Sequence, residues 1–132
     1  MKKTFKPQHY NSLSPYLVMD NAAQFIDFAK KVFHAQERRK FQHENGTIIH
    51  AELLIDDSIL MITDSTKEYP ARTAMLHLYV PDSTATYELA LQEGCQGLQA
   101  PVNHKGDPDK RGNFLDFAGN YWSVSTQMAP TP

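Results

Sequence analysis

Cysteine is almost missing from this chain of 132 residues: the one copy, Cys95, excludes an internal disulfide and fits a reducing compartment. Its plainest role is that of a small apolar filler. Long apolar runs are missing too. No stretch reaches the ~18 apolar residues of a membrane helix, and the lysines of MKKTFKPQHYNS lead into no apolar segment, so the N-terminus does not read as a secretory signal. A cytoplasmic location without a membrane partner is the simplest expectation. An excess of either charge is also lacking, since 13 Lys and Arg face 15 Asp and Glu for a net charge of −2. The basic run Arg38-Arg39-Lys40 has Glu37 and Glu44 nearby and reads as a solvated strand edge, not as a nucleic-acid surface.

What the chain does contain is an ordinary globular composition, 41% apolar, and a repeated order of elements: strand, helix, then three strands. The first copy begins with SPYLVMD, where Asp20 or Asn21 is placed to cap a helix reaching about Phe33, with Ala22, Phe25, Ile26, Ala29, Val32 and Phe33 at helical spacing. QERRKFQH, a turn at Glu44-Asn45-Gly46, TIIHAELLI, a turn at Asp56-Asp57 and SILMITD follow. The second copy begins at AMLHLYV, with Asp82 capping a helix that stops at Gly94. After it come a short strand near 97–102, a polar loop over Asn103–Lys110 placed to act as a flap, GNFLDFA, a Gly119-Asn120 turn and YWSVSTQ. A shift of 61 sets Leu17 on Leu78 and Ala29 on Ala90, and a shift of 62 sets Leu60 on Trp122 and Ile62 on Val124. The expectation is one domain over 1–132 built of two modules, about 12–65 and 72–127. The tail from Met128 onward is expected to fray.

Strand alternation then sorts the side chains. One face carries Leu17, Met19, Leu76, Leu78, Val80, Leu60, Ile62, Trp122 and Val124, and packs under the helices. The opposite face carries Ser14, Tyr16, Met61, Thr63, Met75, His77, Tyr79, Tyr121, Ser123 and Ser125, a mixture suited to a small-molecule cleft. In the third strand Ile49, Ala51, Leu53 and Ile55 take the apolar face and leave His50 and Glu52 on the cleft side. The repeat shift sets Gly112 and Phe114 in the equivalent places, so Phe114 joins the expected lining. A carboxylate in such a place needs a partner, and His50, His77 or a tyrosine hydroxyl are the candidates for Glu52.

SPYLVMDNAAQFIDFAKKVF, HAELLIDDSILMITD, LHLYV and GNYWSVST in this order resemble the glyoxalase, bleomycin-resistance and extradiol-dioxygenase superfamily, the vicinal oxygen chelate fold, and within it the PhnB-like branch. The resemblance covers about residues 12–127. It implies an α+β fold in which two β-α-β-β-β modules form a curled, incompletely closed eight-stranded mixed sheet around a cleft, often in a homodimer. It also implies, for metal-dependent members, ligands in the first and last strands of each module, which fall here on Ser14, Met61, Met75 and Ser123. None of these is a convincing ligand for a divalent transition metal. No glycine-rich strand-to-helix turn is present for a nucleotide-like methyl donor, so a methyltransferase role is set aside.

The expected function is therefore metal-free capture of a small molecule, with no cofactor, in a cleft lined by Tyr16, His50, Glu52, Met61, His77, Tyr79, Phe114, Tyr121 and Ser123. The competing reading is a lyase, isomerase or dioxygenase with a displaced metal site of His50, Glu52 and His77. For His50 and Glu52 themselves a structural pair and an acid/base role both stay open.

Overall fold

In the computed structural model, residues 4–128 are described; the expected fraying falls on 129–132, outside the described residues. The chain divides into two compact units, one ending at Arg72 and the other starting at Thr73. The first contains β1 (Tyr16–Met19), α1 (Ala22–Val32), β2 (Gln36–Gln42), β3 (Ile48–Ile55) and β4 (Ser58–Asp64). The second contains β5 (Met75–Tyr79), α2 (Ser83–Gln92), β6 (Gln96–Asn103), β7 (Asp109–Leu115) and β8 (Tyr121–Gln127). This is an α+β fold whose eight strands hydrogen-bond as two open four-stranded mixed sheets, ordered β1-β4-β3-β2 and β5-β8-β7-β6. The first and last strands of each unit run parallel and the other neighbours antiparallel. No helix among the described residues is long and apolar enough to cross a membrane.

In the first unit, α1 buries Phe25, Ile26, Ala29 and Val32, and Leu17 and Met19 of β1, Leu53 of β3 and Ile62 of β4 are buried as well. Each fully buried side chain of Leu or Phe size contributes about 1.5–3 kcal/mol of transfer free energy. The helix start differs from expectation. Asn21 is the N-cap residue but adopts a left-handed conformation, φ 59°, and its side chain makes no cap bond. Asp64, at the end of β4, does the work instead, accepting from the backbone N–H of Ala22 at 2.8 Å and of Ile48 at 2.7 Å. One carboxylate thus ties the start of α1, the start of β3 and the end of β4 together. β3 also slips near its start. A register break opposite Phe41 and Gln42 leaves Ile48 buried and Ile49 48% exposed, so Ile49 does not join the apolar face.

In the second unit Asp82 caps α2 as the sequence suggests, its Oδ1 accepting from Ala85 N at 3.1 Å. The polar loop is shorter than a flap. β6 and β7 take up its ends, and the connection 104–108 is closed by Asp107 N donating to His104 O at 3.0 Å and by Asp109 N donating to Asp107 Oδ1 at 2.9 Å. Phe114, buried on β7, pairs with Trp122 of β8 and meets the ring of Tyr87 on α2 at 6.4 Å. It lies on the helix face, not on the cleft face. The shift of 61 holds through β7 and becomes 62 only past the β7–β8 turn, because Ala51 and Gly112 pair with the equivalent Ile62 and Val124. The extra residue sits in the turn. The true equivalents of His50 and Glu52 are therefore Arg111 and Asn113.

Gly112 also marks a close approach. A Cβ there would fall 2.7–2.8 Å from Pro101 Cγ, Cδ and backbone N on β6. Proline has no N–H for the ladder, and the β6–β7 register shifts between Gln99 and Val102 around it. Gly112→Ala is expected to cost about 1–3 kcal/mol, as overpacking does, and to lower the urea midpoint. An unchanged midpoint would show that Pro101 moves freely.

Candidate functional site

The polar face of the first sheet gathers Tyr16, Met61, Glu52 and Arg39 into one row, set by the pairings Tyr16 with Met61, Met61 with Glu52 and Glu52 with Arg39. Glu52 is only 4% exposed, yet its carboxylate is fully engaged. Oε2 meets His50 Nε2 at 2.7 Å, while Oε1 accepts from the Tyr10 hydroxyl and lies 3.7 Å from Arg39 Nε. Burial alone would push the Glu52 pKa up. The hydrogen bonds from Tyr10 and His50, with the Arg39 charge, outweigh it and hold the pKa below the ordinary value. An ionised Glu52 accepts the Nε2 proton of His50, which leaves Nδ1 as acceptor for the Tyr16 hydroxyl 2.9 Å away. Tyr16, His50, Glu52 and Tyr10 therefore form one hydrogen-bonded chain. Burial, and behind it the Glu52 charge, raise the Tyr16 pKa, and burial with the Glu52 bond raises that of Tyr10.

Two of these partners are not singled out by sequence reasoning. Tyr10 comes from the segment before β1, and Arg39 belongs to the charge run read as a solvated edge. Arg39 stays half exposed but lies across from Glu52 and stacks over the Tyr10 ring at 5.4 Å. The signal was the demand of a buried carboxylate for a cation, with β2 the neighbouring strand.

The second sheet presents a different chemistry on its equivalent face. A groove of about 410 Å³ is lined by Met75, Leu76, His77, Arg111, Asn113, Tyr121 and Ser123. The register sets His77, Ser123 and Asn113 side by side across β5, β8 and β7. Although His77 as a whole is exposed, its Nε2 lies part-buried at 3.0 Å from Ser125 Oγ, and its ring stands edge-on to Tyr79 at 4.7 Å. That burial, with the Arg111 charge, holds its pKa below the ordinary value. Tyr79 is 60% exposed and its hydroxyl donates to Asp109 Oδ2 at 2.7 Å. Arg111 reaches Asp107 and Asp109 at 3.5 and 3.4 Å. Arg111 and Asn113 escaped the sequence reading because of the one-residue slip described above. Cys95, buried behind α2, has its thiol pushed up to about 12 by burial and is inert.

The uncharacterized protein Rv0887c of Mycobacterium tuberculosis is 32% identical to this chain over 124 residues, covering 86% of the chain and 72% of that protein. The uncharacterized protein Mb0911c of Mycobacterium bovis is equally similar, with 81% of its length covered. No family model matches. Among solved structures, TioX from Micromonospora sp. ML1 superposes with a TM-score of 0.74 at 17% identity, over 89% of this chain and 98% of that one. A glyoxalase/bleomycin resistance protein/dioxygenase family enzyme from Burkholderia phytofirmans PsJN gives 0.67 at 15% identity, over 86% and 96%. The chain belongs to one family with the mycobacterial proteins, and its fold is the vicinal oxygen chelate fold of the glyoxalase/bleomycin resistance/dioxygenase superfamily. That superfamily includes metal-dependent members. A variant of the fosfomycin resistance protein FosX from Listeria monocytogenes, TM-score 0.63 at 15% identity over 91% of each chain, is complexed with Mn(II) and 1S,2S-dihydroxypropylphosphonic acid.

The donors of this chain do not fit such a metal. The positions that the sequence resemblance implies for ligands carry two hydroxyls and two thioethers, Ser14, Ser123, Met61 and Met75, where a divalent transition metal calls for carboxylate or imidazole. Among the described residues no three His, Cys, Asp or Glu side chains gather to hold an ion. The displaced set fares no better. Both ring nitrogens of His50 are engaged, by Tyr16 and Glu52, and Nε2 of His77 is engaged by Ser125.

Proposed function

We propose that this protein is a metal-free small-molecule-binding member of the superfamily, in its PhnB-like branch, which holds an aromatic or amphipathic ligand. The observation that carries the reading is the groove on the second sheet. Its volume falls in the range of small-ligand sites, and it combines Met75, Leu76 and Tyr121 as apolar walls with His77, Arg111, Asn113 and Ser123 as orienting polar groups. Tyr79 on the second sheet is assigned to ligand binding as well, and on the first sheet Tyr16, His50, Glu52 and Met61 are assigned to a separate polar face. A cytoplasmic homodimer belongs to the same reading. The exposed Met75, Tyr79 and Phe41 and the exposed edge strands β2 and β6 support a partner chain.

The test is a thermal-shift screen of small aromatic acids and phosphonates with EDTA present. A ligand at about one hundred times its Kd adds about 2.7 kcal/mol to native stability, so a hit raises the melting temperature by several degrees. His77→Ala and Tyr121→Ala are expected to weaken that hit about tenfold each, or about 1.4 kcal/mol. Hits that bind both variants unchanged, or that bind only after metal is restored, would overturn the proposal.

A further inference from the structure

We infer that Tyr16, His50 and Glu52 form a proton relay, through which the Tyr16 hydroxyl exchanges a proton with a small carbon acid at the polar face of the first sheet. The geometry is graded from dry to wet. Glu52 is 4% exposed, the His50 side chain 24%, and Tyr16 51%, so only the far end of the chain meets a ligand. The separations along it are 2.7 Å and 2.9 Å. A carboxylate that fixes the imidazole tautomer and leaves the other ring nitrogen facing a hydroxyl is the arrangement that makes histidine a base for that hydroxyl. Here the hydroxyl is a phenol. Glu52 is itself held by Tyr10 and Arg39, which keep it ionised beside the imidazole. Nothing in the pairing of β3 with its neighbours requires so complete a network, since a buried apolar residue would serve packing alone.

The step balances without a cofactor. A C–H bond of the carbon acid breaks and its proton passes to Tyr16 Oη, while the phenolic O–H bond breaks and that proton passes to His50 Nδ1. The electron pair stays on the substrate as a carbanion or enolate, and the imidazolium rests against the Glu52 carboxylate. Returning the proton to the same carbon gives hydrogen exchange, and returning it to another carbon gives an isomerisation. Because burial and the Glu52 charge raise the Tyr16 pKa, the phenol passes its proton on as it takes up the new one and no free phenolate accumulates. The charged and titratable groups facing the relay are Tyr10 from the N-terminal segment and Arg39 from β2. The relay lies wholly within the first unit and stands independently of the ligand groove.

The experiment uses the full chain and the probe 5-nitrobenzisoxazole, whose deprotonation at carbon breaks its N–O bond and releases a coloured cyanonitrophenolate. Wild type is expected to turn the probe over about a hundredfold faster than His50→Gln, the scale of general-base catalysis. Tyr16→Phe, which keeps the ring and so keeps the fold, should lose at least about tenfold of that rate. The wild-type rate should follow a single ionisation that is absent from the pH profile of His50→Gln, and His43→Gln, at an exposed position past β2, should match wild type. Equal rates in wild type and His50→Gln would overturn the relay. So would a rate untouched by Tyr16→Phe, which would make His50 a base in its own right and Tyr16 a bystander.

Discussion

Replacing Asp116 with alanine is expected to be the most destabilising single change, lowering the unfolding free energy by about 4 kcal/mol, since hydrogen bonds to a buried charged group are worth about 1.5–3 kcal/mol each and part of the loss is recovered by water. Asp116 is 5% exposed. Its Oδ1 accepts from the backbone N–H groups of Ala118 and Asn120, both at 2.9 Å, and its Oδ2 accepts from Asn120 Nδ2 at 3.1 Å and Trp122 Nε1 at 2.9 Å. The network runs on, because the fully buried Asn120 turns its Oδ1 to Ala74 N at 2.9 Å just ahead of β5. One carboxylate therefore shapes the β7–β8 turn, positions the core indole and reaches the strand across the sheet. Trp122 is the single tryptophan, so its emission reports this site directly. Asp116→Ala should shift the emission to the red and lower the chemical midpoint sharply, while Asp116→Asn, which keeps an acceptor and the volume, should lose about half as much. A spectrum and midpoint unchanged in Asp116→Ala would contradict the assignment.

Glu52→Ala is expected to cost about 3 kcal/mol, because removing one partner of a buried polar network leaves the others unpaired. The His50 Nε2–H and the Tyr10 hydroxyl lose their acceptor and Arg39 loses its counter-charge. The pH dependence separates this from a simple cavity. Since the Glu52 pKa is lower in the folded protein than its ordinary 4.5, the folded state binds fewer protons than the unfolded chain between those two values. Its contribution is fully present above pH 4.5 and is lost as the pH falls through the folded value. The stability gap between wild type and Glu52→Gln should hence be constant near neutral pH and shrink below about pH 4.5. A gap that stays constant down to pH 3 would mean that folding does not lower the Glu52 pKa.

The order of elements was legible because the hydrophobic period changes cleanly between strand and helix, and because each unit repeats it. Leu17, Met19, Leu60, Ile62, Trp122 and Val124 are all buried on the face that alternation assigns to them. Long-range side-chain work was less legible. Asn21 has the residue type of a cap, but Asp64, 42 residues beyond Ala22 in sequence, supplies the bond to Ala22. The same holds at the site. Period-two alternation places His50 and Glu52 together, and the cost of burying a carboxylate calls for a hydroxyl partner, yet only the folded chain brings Tyr10 over β3. Phe114 falls on the helix face because the repeat shift is still 61 at β7 and becomes 62 only at β8. A shift wrong by one residue moves every assignment on a strand to the other face, and the shift of 61 at β7 puts Arg111 and Asn113 in the places of His50 and Glu52.

We propose that this fold works here without a metal of the kind bound in the FosX variant. It is tested most directly by titrating the purified, chelator-treated protein with Mn(II), Ni(II) and Zn(II) in turn, following heat and bound metal by elemental analysis. No saturable site is expected, with less than about one tenth of an equivalent retained after gel filtration, as Ser14, Met61, Met75 and Ser123 offer no carboxylate or imidazole. One equivalent bound tightly, and lost in His50→Gln or His77→Ala, would contradict it.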